Sequence, residues 1–343
     1  MTDLEAAVQL LGGDTNKVIY DDVGLPSIMV RFDKKMVSEL VDDYVTDVVH
    51  PAFVVNNTEL DNFYVSKYDN VIINDRAYSL PLQEPNITSL ENAKNVCTKK
   101  GKGWHIMSLS ERSFISMFCA NNKFIPSGNN SKGENYSRKY EKGIISTTDG
   151  KVLTGSGPKS WAHNNNVSGV WDIVGNVADW VNGIRFCNNE VQIVNNNDCA
   201  DFNNNTDETS TLWKAINSQG ALIEPNGLGT TDGSIKYNYV NSILKVDTSV
   251  LSSTGGECQF SKINSNNINI PQLLKLLGLY PFKNIDYDNS FFTVASTSSS
   301  SSIYRYTAAG GHNISLAKSG LNQLYNGYIK SHNMGIRSAY VEI

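Results

Sequence analysis

The sequence lacks every cysteine pattern that marks a metal site or a redox motif. Its five cysteines are far apart, contain no CxxC pair and have no histidine nearby at a spacing suited to zinc. They are Cys97, Cys119, Cys187, Cys199 and Cys258. We therefore predict that the thiols are free and buried.

Long apolar runs are also missing. No stretch approaches the ~18 consecutive apolar residues of a membrane span. The first residues, MTDLEAAVQLLGGD, carry acidic side chains where a signal peptide carries basic ones, and their apolar run is short and interrupted. The sequence therefore predicts synthesis in the cytoplasm and no membrane insertion.

An excess of basic charge is absent as well. The chain has 29 Lys and Arg against 34 Asp and Glu, which gives a net charge of -5. A nucleic-acid-binding surface needs a basic face or cluster. The one dense basic stretch, CTKKGKGWH (97–105), is short and predicts a solvated loop. We expect no nucleic-acid partner.

Familiar catalytic motifs are not found either. The histidines form no HxH or HExxH spacing, and no GxSxG nucleophile elbow occurs. His105 follows Trp104 in a short apolar segment, which predicts a buried histidine with a structural role. The sequence therefore predicts a binding protein and not an enzyme.

Short strands are predicted in several parts of the chain. Residues 1–80 hold apolar runs separated by Asp, Asn and Gly, and the clearest runs are KVIYDD, SIMVRF, FYVSKY and NVIIND. Further strands are predicted at GIIST, KVLTG and VQIVN. We predict a small β-rich N-terminal region over residues 1–80, with a role in attachment or assembly. One larger, ligand-binding domain is predicted over residues 81–343.

Two helices are predicted after residue 86, on either side of a strand at KGWHIM. Thr88 or Ser89 precedes Glu91 at the start of the first helix, and Ser108 stands three residues before Glu111 at the start of the second, as in a capping box. A third helix is predicted in PQLLKLLGLY. The run VASTSSSSSIYRY predicts an exposed loop. Helices and strands together predict the α+β class.

The stretch SGVWDIVGNVADWVNG (168–183) combines apolar residues with turn-forming ones. Gly175 and Asn176 predict a tight turn that needs an unusual φ. The residues predicted to pack in the core are Trp171, Ile173, Val177 and Trp180. The stretch is therefore predicted to be chiefly scaffold.

Three segments, in this order, resemble the formylglycine-generating enzyme family. ENAKNVCTKKGKGWHIMSLSERSFISMFC looks like the helix, strand and helix of that family, and VWDIVGNVADWV looks like its G-N-V-W-E-W signature, with Ala178 and Asp179 where Trp and Glu are usual. The ending, GGHNISLAKSGLNQLYNGYIKSHNMGIRSAYVEI, resembles the family's R-G-G-S-W … G-F-R. The resemblance covers roughly residues 85–343 and implies the C-type lectin-like fold in its large, loop-rich form.

The same resemblance bears on cofactors. The family's equivalent loop binds calcium through oxygen ligands at i, i+3, i+5 and i+7, and oxygen ligands suit this hard cation. The matching positions are Asp172, Gly175, Val177 and Asp179. Calcium is therefore a candidate structural ion, although binding requires no cofactor. The family's oxidase chemistry depends on two cysteines close to the C-terminus, and the last cysteine here is Cys258, so that activity is not expected.

Within this superfamily the chain resembles in particular the variable proteins of diversity-generating retroelements, of the kind carried by gut bacteriophages and prophages. The likeness lies in HPAFVVNNTELDNFYVSKY, GWHIM, YEKG, LTGSGP, WKAI, PQLLKLLGLYP and GIRSAYV. In that family, error-prone copying at template adenines rewrites a C-terminal segment while the scaffold stays fixed. The resemblance implies a variable segment at about residues 310–334 and a hypervariable receptor-binding protein, such as a tail-tip or fibre adhesin.

The composition of residues 310–334 suits this role. Tyrosine offers a large contact area at low entropy cost, while Asn and Ser adapt their hydrogen bonds to different partners. The candidate ligand-binding residues are His312, Asn313, Ser315, Lys318, Asn322, Tyr325, Asn326, Tyr328, His332 and Asn333. The predicted anchors between them are Ile314, Leu316, Gly320, Leu321, Leu324 and Met334.

The resemblance also implies partners and a location. The expected partner is a protein or glycan receptor on a bacterial surface, and the expected location is the phage tail of a virion. Tail proteins are commonly trimers, so a homotrimer is a further expectation. The alternative is a fixed lectin-like host-attachment protein that binds glycans, located at the host cell surface.

Overall fold

The computed structural model describes residues 1–41, 47–146, 148–283, 285, 290–297 and 304–343. The serine run at 298–302, predicted to be an exposed loop, lies outside these residues. Helices and strands mix in the described part, and strands dominate, which confirms the α+β class. Within it, no helix is both long enough and apolar enough to span a bilayer.

Of the four α-helices among the described residues, three lie where the sequence predicts them, and the first, near the N-terminus, was not predicted. The four are α1 (Asp3–Gly12), α2 (Leu90–Thr98), α3 (Leu109–Asn121) and α4 (Gln272–Leu276). The Ser108 hydroxyl accepts from the Glu111 N–H at 3.1 Å, and the Glu111 carboxylate accepts from the Ser108 N–H at 2.9 Å, so the predicted capping box is confirmed. Ser89, one of the two predicted caps of α2, accepts from a backbone N–H at 3.3 Å. Pro271 directly precedes α4.

The strands follow one another through the whole described chain. They are β1 (Asn16–Tyr20), β2 (Pro26–Asp33), β3 (Val54–Val55), β4 (Thr58–Glu59), β5 (Asn62–Ser66), β6 (Asn70–Ile73), β7 (Arg76–Ser79), β8 (Ile87–Thr88), β9 (Trp104–Ile106), β10 (Asp179–Cys187), β11 (Glu190–Ile193), β12 (Lys214–Ile216), β13 (Leu222–Ile223), β14 (Lys236–Val240), β15 (Ile243–Asp247), β16 (Gly256–Gln259), β17 (Asn264–Ser265), β18 (Phe291–Val294), β19 (Tyr304–Ala309), β20 (Leu324–Tyr328), β21 (Met334–Gly335) and β22 (Ser338–Tyr340). The predicted strands at the N-terminal runs, KGWHIM and VQIVN are confirmed. GIIST and KVLTG instead form a single bridge between Ile145 and Val152.

A sheet of five strands, among the described residues, joins the two ends of the chain. Its order is β1, β2, β5, β22, β9, so the C-terminal β22 lies between two strands from earlier in the chain. Ala339 is the register partner of both Val65 and His105. The predicted boundary near residue 80 therefore does not separate two packing units, since residues 1–80 share backbone hydrogen bonds and one hydrophobic core with the rest.

A second, larger sheet carries the candidate segment. Along its main path the strands run β16, β18, β20, β19, β10, β11, β14, β15, β17. Strand β10 is buried along its whole length and pairs with β19, which in turn pairs with β20. The segment at residues 310–334 thus directly follows β19 and contains β20, two neighbouring strands in the interior of this sheet, and it ends on β21, which pairs with β10.

The tryptophan-rich stretch is scaffold, as predicted. The four residues expected in the core, Trp171, Ile173, Val177 and Trp180, are at most 7% exposed. Gly175 has φ +77° and Asn176 has φ +58°, which confirms the tight turn. A Cβ at Gly175 would lie 2.2 Å from the Asn129 carbonyl oxygen, so this turn admits only glycine.

Two predictions about polar and sulfur groups have opposite outcomes. All five cysteines are free and buried, which confirms that expectation. The basic stretch 97–105 is not simply a solvated loop, because Lys100 is fully buried with its ammonium 3.2 Å from the centre of the Trp104 ring. Burial lowers the pKa of Lys100 well below its usual value, and its Nζ donates to the Ser27 hydroxyl at 2.8 Å.

Candidate ligand-binding face

The candidate segment consists of a loop, the strand β20 and the turn that follows this strand. Strand β19 leads into the loop and β20 leads out of it, with Ala309 opposite Leu324. The loop turns at Gly310, which has φ +90°. A Cβ at this position would lie 2.8 Å from the Ile173 carbonyl oxygen. The Gly175 N–H donates to the Gly310 carbonyl oxygen at 2.9 Å. The loop is therefore fixed onto the buried tryptophan-rich stretch.

Four rings form a continuous row on this segment, which we call the aromatic row: His312, Tyr325, Tyr328 and His332. Successive ring centres are 6.0, 6.0 and 5.4 Å apart. His332 is exposed and the other three rings are half-buried. Tyr328 meets the buried Trp180 edge-on at 6.2 Å, so the row rests on the core while one side of it faces solvent.

The aromatic row is uncharged at neutral pH over most of its length. Burial lowers the pKa of His312 and raises the pKa of Tyr325 and Tyr328. The Tyr325 hydroxyl lies 3.4 Å from the Ser315 hydroxyl, which itself accepts from the His312 N–H at 2.8 Å. The row can therefore stack against a flat ligand and offer neutral hydrogen-bonding groups beside it.

Seven of the ten predicted ligand-binding residues are at least partly exposed. Besides the aromatic row they are Ser315, Lys318 and Asn333. Lys318 pairs with Glu257, which brings a residue from β16 to the edge of the same face. These positions lie on one loop-and-hairpin element and are available to a partner.

The remaining three predicted contact residues are buried. Asn313, Asn322 and Asn326 are at most 7% exposed. The Asn313 amide donates to a backbone carbonyl oxygen at 2.7 Å, and the other two accept from the hydroxyls of Ser116 and Thr307. Each amide is used to hold the loop, because a buried amide needs internal hydrogen-bond partners.

The predicted anchors divide in a similar way. Gly320, Leu321, Leu324 and Met334 are buried as expected. Ile314 is 60% exposed and Leu316 is 47% exposed, so these two predictions are wrong. Leu316 takes φ +53°, and both its N–H and its carbonyl oxygen bond to Asn130. The backbone, not the side chain, fixes this part of the loop.

The candidate calcium loop faces a buried arginine. The Asp179 carboxylate accepts from Arg337 Nε at 2.9 Å, and the Asp172 carboxylate accepts from the Gly155 N–H at 2.8 Å. Each of these aspartates keeps one buried oxygen without a hydrogen-bond partner. A buried carboxylate oxygen without a partner could bind calcium. The Arg337 guanidinium, however, already neutralises the Asp179 carboxylate.

Arg337 is the centre of this buried charge cluster. Its guanidinium contacts the carboxylates of Asp69 and Asp179, and all three side chains are at most 2% exposed. Although burial opposes it, the two carboxylates raise the pKa of Arg337. Burial raises the pKa of Asp172 to about 6 and that of Asp69 well above its usual value.

Of the predicted calcium ligands, Gly175 and Val177 could contribute only backbone oxygens. Among the residues described, no group of three or more His, Cys, Asp or Glu side chains is arranged to hold a metal ion. The arrangement around Asp172 and Asp179 fits the guanidinium of Arg337 better than a calcium ion.

Arg112 is a positioning residue that the sequence reasoning missed. It lies on α3, is 3% exposed, and donates from Nη2 to the carbonyl oxygens of Ile173 at 2.9 Å and Leu321 at 3.0 Å. It thus ties the tryptophan-rich stretch to the base of the candidate segment. Its partners are backbone atoms 61 and 209 residues away, so no local pattern marks it.

His105 has the structural role predicted for it. Its Nε2 lies 2.8 Å from the Glu111 carboxylate and its Nδ1 lies 3.0 Å from the Gly103 carbonyl oxygen.

No protein-family model matches the chain, and no curated protein matches it. The geometry of the face therefore carries the functional argument that follows.

Proposed function

We propose that the chain is a hypervariable ligand-binding protein of a phage or prophage, a tail-tip or fibre adhesin with a C-type lectin-like fold. Its C-terminal segment at residues 310–334 is rewritten by a retroelement. The partner is a protein or glycan receptor on a bacterial surface, and the protein acts from the virion. In this proposal it has no catalytic activity.

One observation carries the proposal: the aromatic row lies on the surface of a loop whose base is rigidly held. Large amphipathic rings give contact area at a low cost in conformational entropy, and a preorganised support limits the entropy lost on binding. The rings of His312, Tyr325 and Tyr328 contact one another, Tyr325 adds one long hydroxyl contact, and Tyr328 also packs against the buried cluster that contains Trp180. Their identity can change while the fold persists.

The spatial arrangement of the three resembling segments supports the lectin-like part of the proposal. Helix α2, β9 and α3 form the first segment, and β9 pairs with β22 of the third. The Gly335 N–H of the third segment donates to the Ala178 carbonyl oxygen of the second at 2.7 Å. Arg337 in the third segment pairs with Asp179 in the second. Segments that resemble one family in sequence thus also meet in space.

Sequencing of sibling isolates tests the proposal. The stretch from the codon for Tyr306 to the stop codon is compared across isolates, together with the neighbouring DNA. We expect substitutions at the aromatic row and at Ser315, Lys318 and Asn333, and a near-identical template copy beside a reverse transcriptase. An invariant segment with no template would contradict the proposal and favour the fixed lectin-like attachment protein.

A further inference from the structure

A pocket of about 230 Å³ lies beside the aromatic row, and we call it the side pocket. It is bounded by the first turns of α2, by the loop at residues 206–209 and by Lys330, with Tyr306 on its wall. Tyr306 is the register partner of Tyr328, which belongs to the aromatic row. The side pocket is therefore continuous with the candidate face.

The walls of the side pocket are tied together by hydrogen bonds. The Leu90 N–H donates to the Lys330 carbonyl oxygen at 3.0 Å. The Lys94 ammonium donates to the Thr206 hydroxyl at 3.1 Å and pairs with Asp207 at 3.2 Å. Three separate parts of the chain are thus held in place before any ligand arrives, which lowers the cost of binding.

The wall formed by Tyr306 is supported by a buried arginine, Arg185, which forms a hydrogen bond with the Tyr306 side chain. Arg185 is 3% exposed, lies 4.2 Å from the centre of the Tyr304 ring and 4.5 Å from the centre of the Trp213 ring, and donates to the Glu208 carbonyl oxygen at 2.6 Å. These contacts fix both the aromatic wall and the loop that carries Glu208.

The charges of the side pocket are mixed in sign. Lys94 and Asp207 neutralise each other, which leaves Glu91, Glu208 and Lys330. Among the described residues, none of these three side chains forms an ion pair. The two remaining carboxylates oppose an anion, and the remaining ammonium of Lys330 opposes a cation. Carboxylates accept hydrogen bonds, ammonium groups donate them and the Thr209 hydroxyl does both, so a neutral ligand rich in hydroxyl groups fits this lining.

We propose that the side pocket binds one neutral six-membered sugar ring of the receptor's glycan, an inference that rests on the proposed receptor-binding function. The hydroxyls of such a ring satisfy Glu208, Lys330 and Thr209, and its C–H face packs on Tyr306. The pocket is smaller than the roughly 300–1,000 Å³ sites of drug-sized ligands, as a single ring requires. Most of its lining lies outside residues 310–334, so the side pocket recognises a fixed group while the aromatic row reads a changing one.

The proposal is tested on the full chain with a panel of neutral methyl hexopyranosides in the gluco, manno and galacto series, by saturation-transfer NMR and calorimetry. At least one probe is expected to bind with a Kd of roughly 1–10 mM. Methyl glucuronide, which adds a carboxylate, is expected to bind more weakly because of Glu91 and Glu208. If no neutral hexoside binds, or if the glucuronide binds better, the proposal is overturned.

Variants locate the binding. Glu208→Gln and Lys330→Met change partly exposed side chains and are each expected to weaken the hexoside by about fivefold, the loss of one charge-assisted hydrogen bond. Tyr325→Ala, on the aromatic row, is expected to change it by less than about twofold. Equal effects of all three variants would overturn the assignment to the side pocket.

The outcomes separate this proposal from the proposed function. If hexosides do not bind but sibling isolates carry clustered substitutions in residues 310–334, only the side pocket proposal fails. If a hexoside binds in the side pocket and the segment is invariant without a template, the side pocket stands and the retroelement proposal fails.

Discussion

The buried cluster around Arg337 and the aromatic row both belong to the C-terminal part of the chain, yet they are constrained in opposite ways. Arg337 contacts Asp69, Asp179 and the Ser66 carbonyl oxygen, with no solvent exposure. Tyr325 is half-buried and touches the rings of His312 and Tyr328 and the Ser315 hydroxyl. The Arg337 side chain neutralises two buried carboxylates at once, whereas the Tyr325 side chain neutralises no charge.

The difference teaches which positions can change. A substitution at Arg337 leaves two buried carboxylates without their cation, whereas a substitution at the half-buried Tyr325 leaves no charge unpaired. The segment at residues 310–334 contains both kinds of position, since Asn322 and Asn326 hold the loop from inside. Sequence position alone therefore does not show which side chains of the segment a partner can reach, whereas burial does.

The largest expected effect comes from Arg337→Met. Removal of the cation leaves the carboxylates of Asp69 and Asp179 buried and unpaired, so we expect a loss of about 3–5 kcal/mol in the free energy of unfolding. Urea unfolding at pH 7 measures it. Arg138→Met is the matched control: Arg138 is 47% exposed and pairs with Glu141, and its loss is expected to cost less than about 1 kcal/mol. Similar losses in the two variants would contradict the contrast.

The second effect depends on pH. Burial raises the pKa of Asp172 to about 6, so the folded protein holds that proton more tightly than the unfolded chain does. The stability supplied by the proton is complete at low pH and is lost as the pH rises through about 6. Asp172→Asn is therefore expected to exceed the parent by about 2–3 kcal/mol at pH 8 and to match it at pH 4. Urea unfolding at both pH values in metal-free buffer measures this difference. A difference in stability that is the same at pH 4 and pH 8 would refute the expectation.

The third effect separates binding from stability. Replacement of Tyr325 and Tyr328 together by Ala is expected to reduce adsorption of the labelled protein to its bacterial host by at least about tenfold. The free energy of unfolding is expected to fall by less than about 2 kcal/mol, because both rings are only half-buried. A larger loss of stability would place the two tyrosines in the core.

Two other exposed tyrosines provide a control for this variant. Tyr136 and Tyr140 are 43% and 81% exposed and lie outside the aromatic row. Their joint replacement by Ala is expected to leave adsorption unchanged. If it reduces adsorption as much as the replacement of Tyr325 and Tyr328 does, binding is not specific to the aromatic row.

The smallest expected effect is that of calcium. Because Arg337 supplies the positive charge next to Asp179, calcium at about 5 mM, above the roughly 0.1–1 mM Kd of weak sites, is expected to shift the Tm by less than about 1 °C. Thermal unfolding with calcium and with a chelator measures this. A rise of several degrees would show that Asp172 and Asp179 hold the ion after all.

Local features of the fold were predictable from sequence. The capping box of Ser108 and Glu111 is decided by residues three positions apart, and the turn at Gly175 and Asn176 by two neighbours. Both are confirmed because the physics that selects these residues acts within a few positions. The burial of the four core residues in the tryptophan-rich stretch was also predictable, because these side chains are apolar.

Features that depend on distant partners were not predictable. Lys100 was expected in solvent, but the Trp104 ring and the Ser27 hydroxyl give it a buried site. Leu316 was expected in the core, but hydrogen bonds to Asn130, 186 residues away, hold its backbone in a left-handed conformation. No local pattern contains such information.

The position of β22 has a consequence for biosynthesis. The hydroxyls of Ser66 and Ser338 lie 2.8 Å apart across 272 residues, because β22 is inserted beside β5. At the typical rate of 5–20 residues per second, a ribosome needs roughly 14–54 s to make the partner strand after β5 has emerged. During that interval β5 keeps an unpaired edge, which is a template for aggregation. Nascent chains of this protein are therefore expected to expose this edge of β5 until β22 has been synthesised.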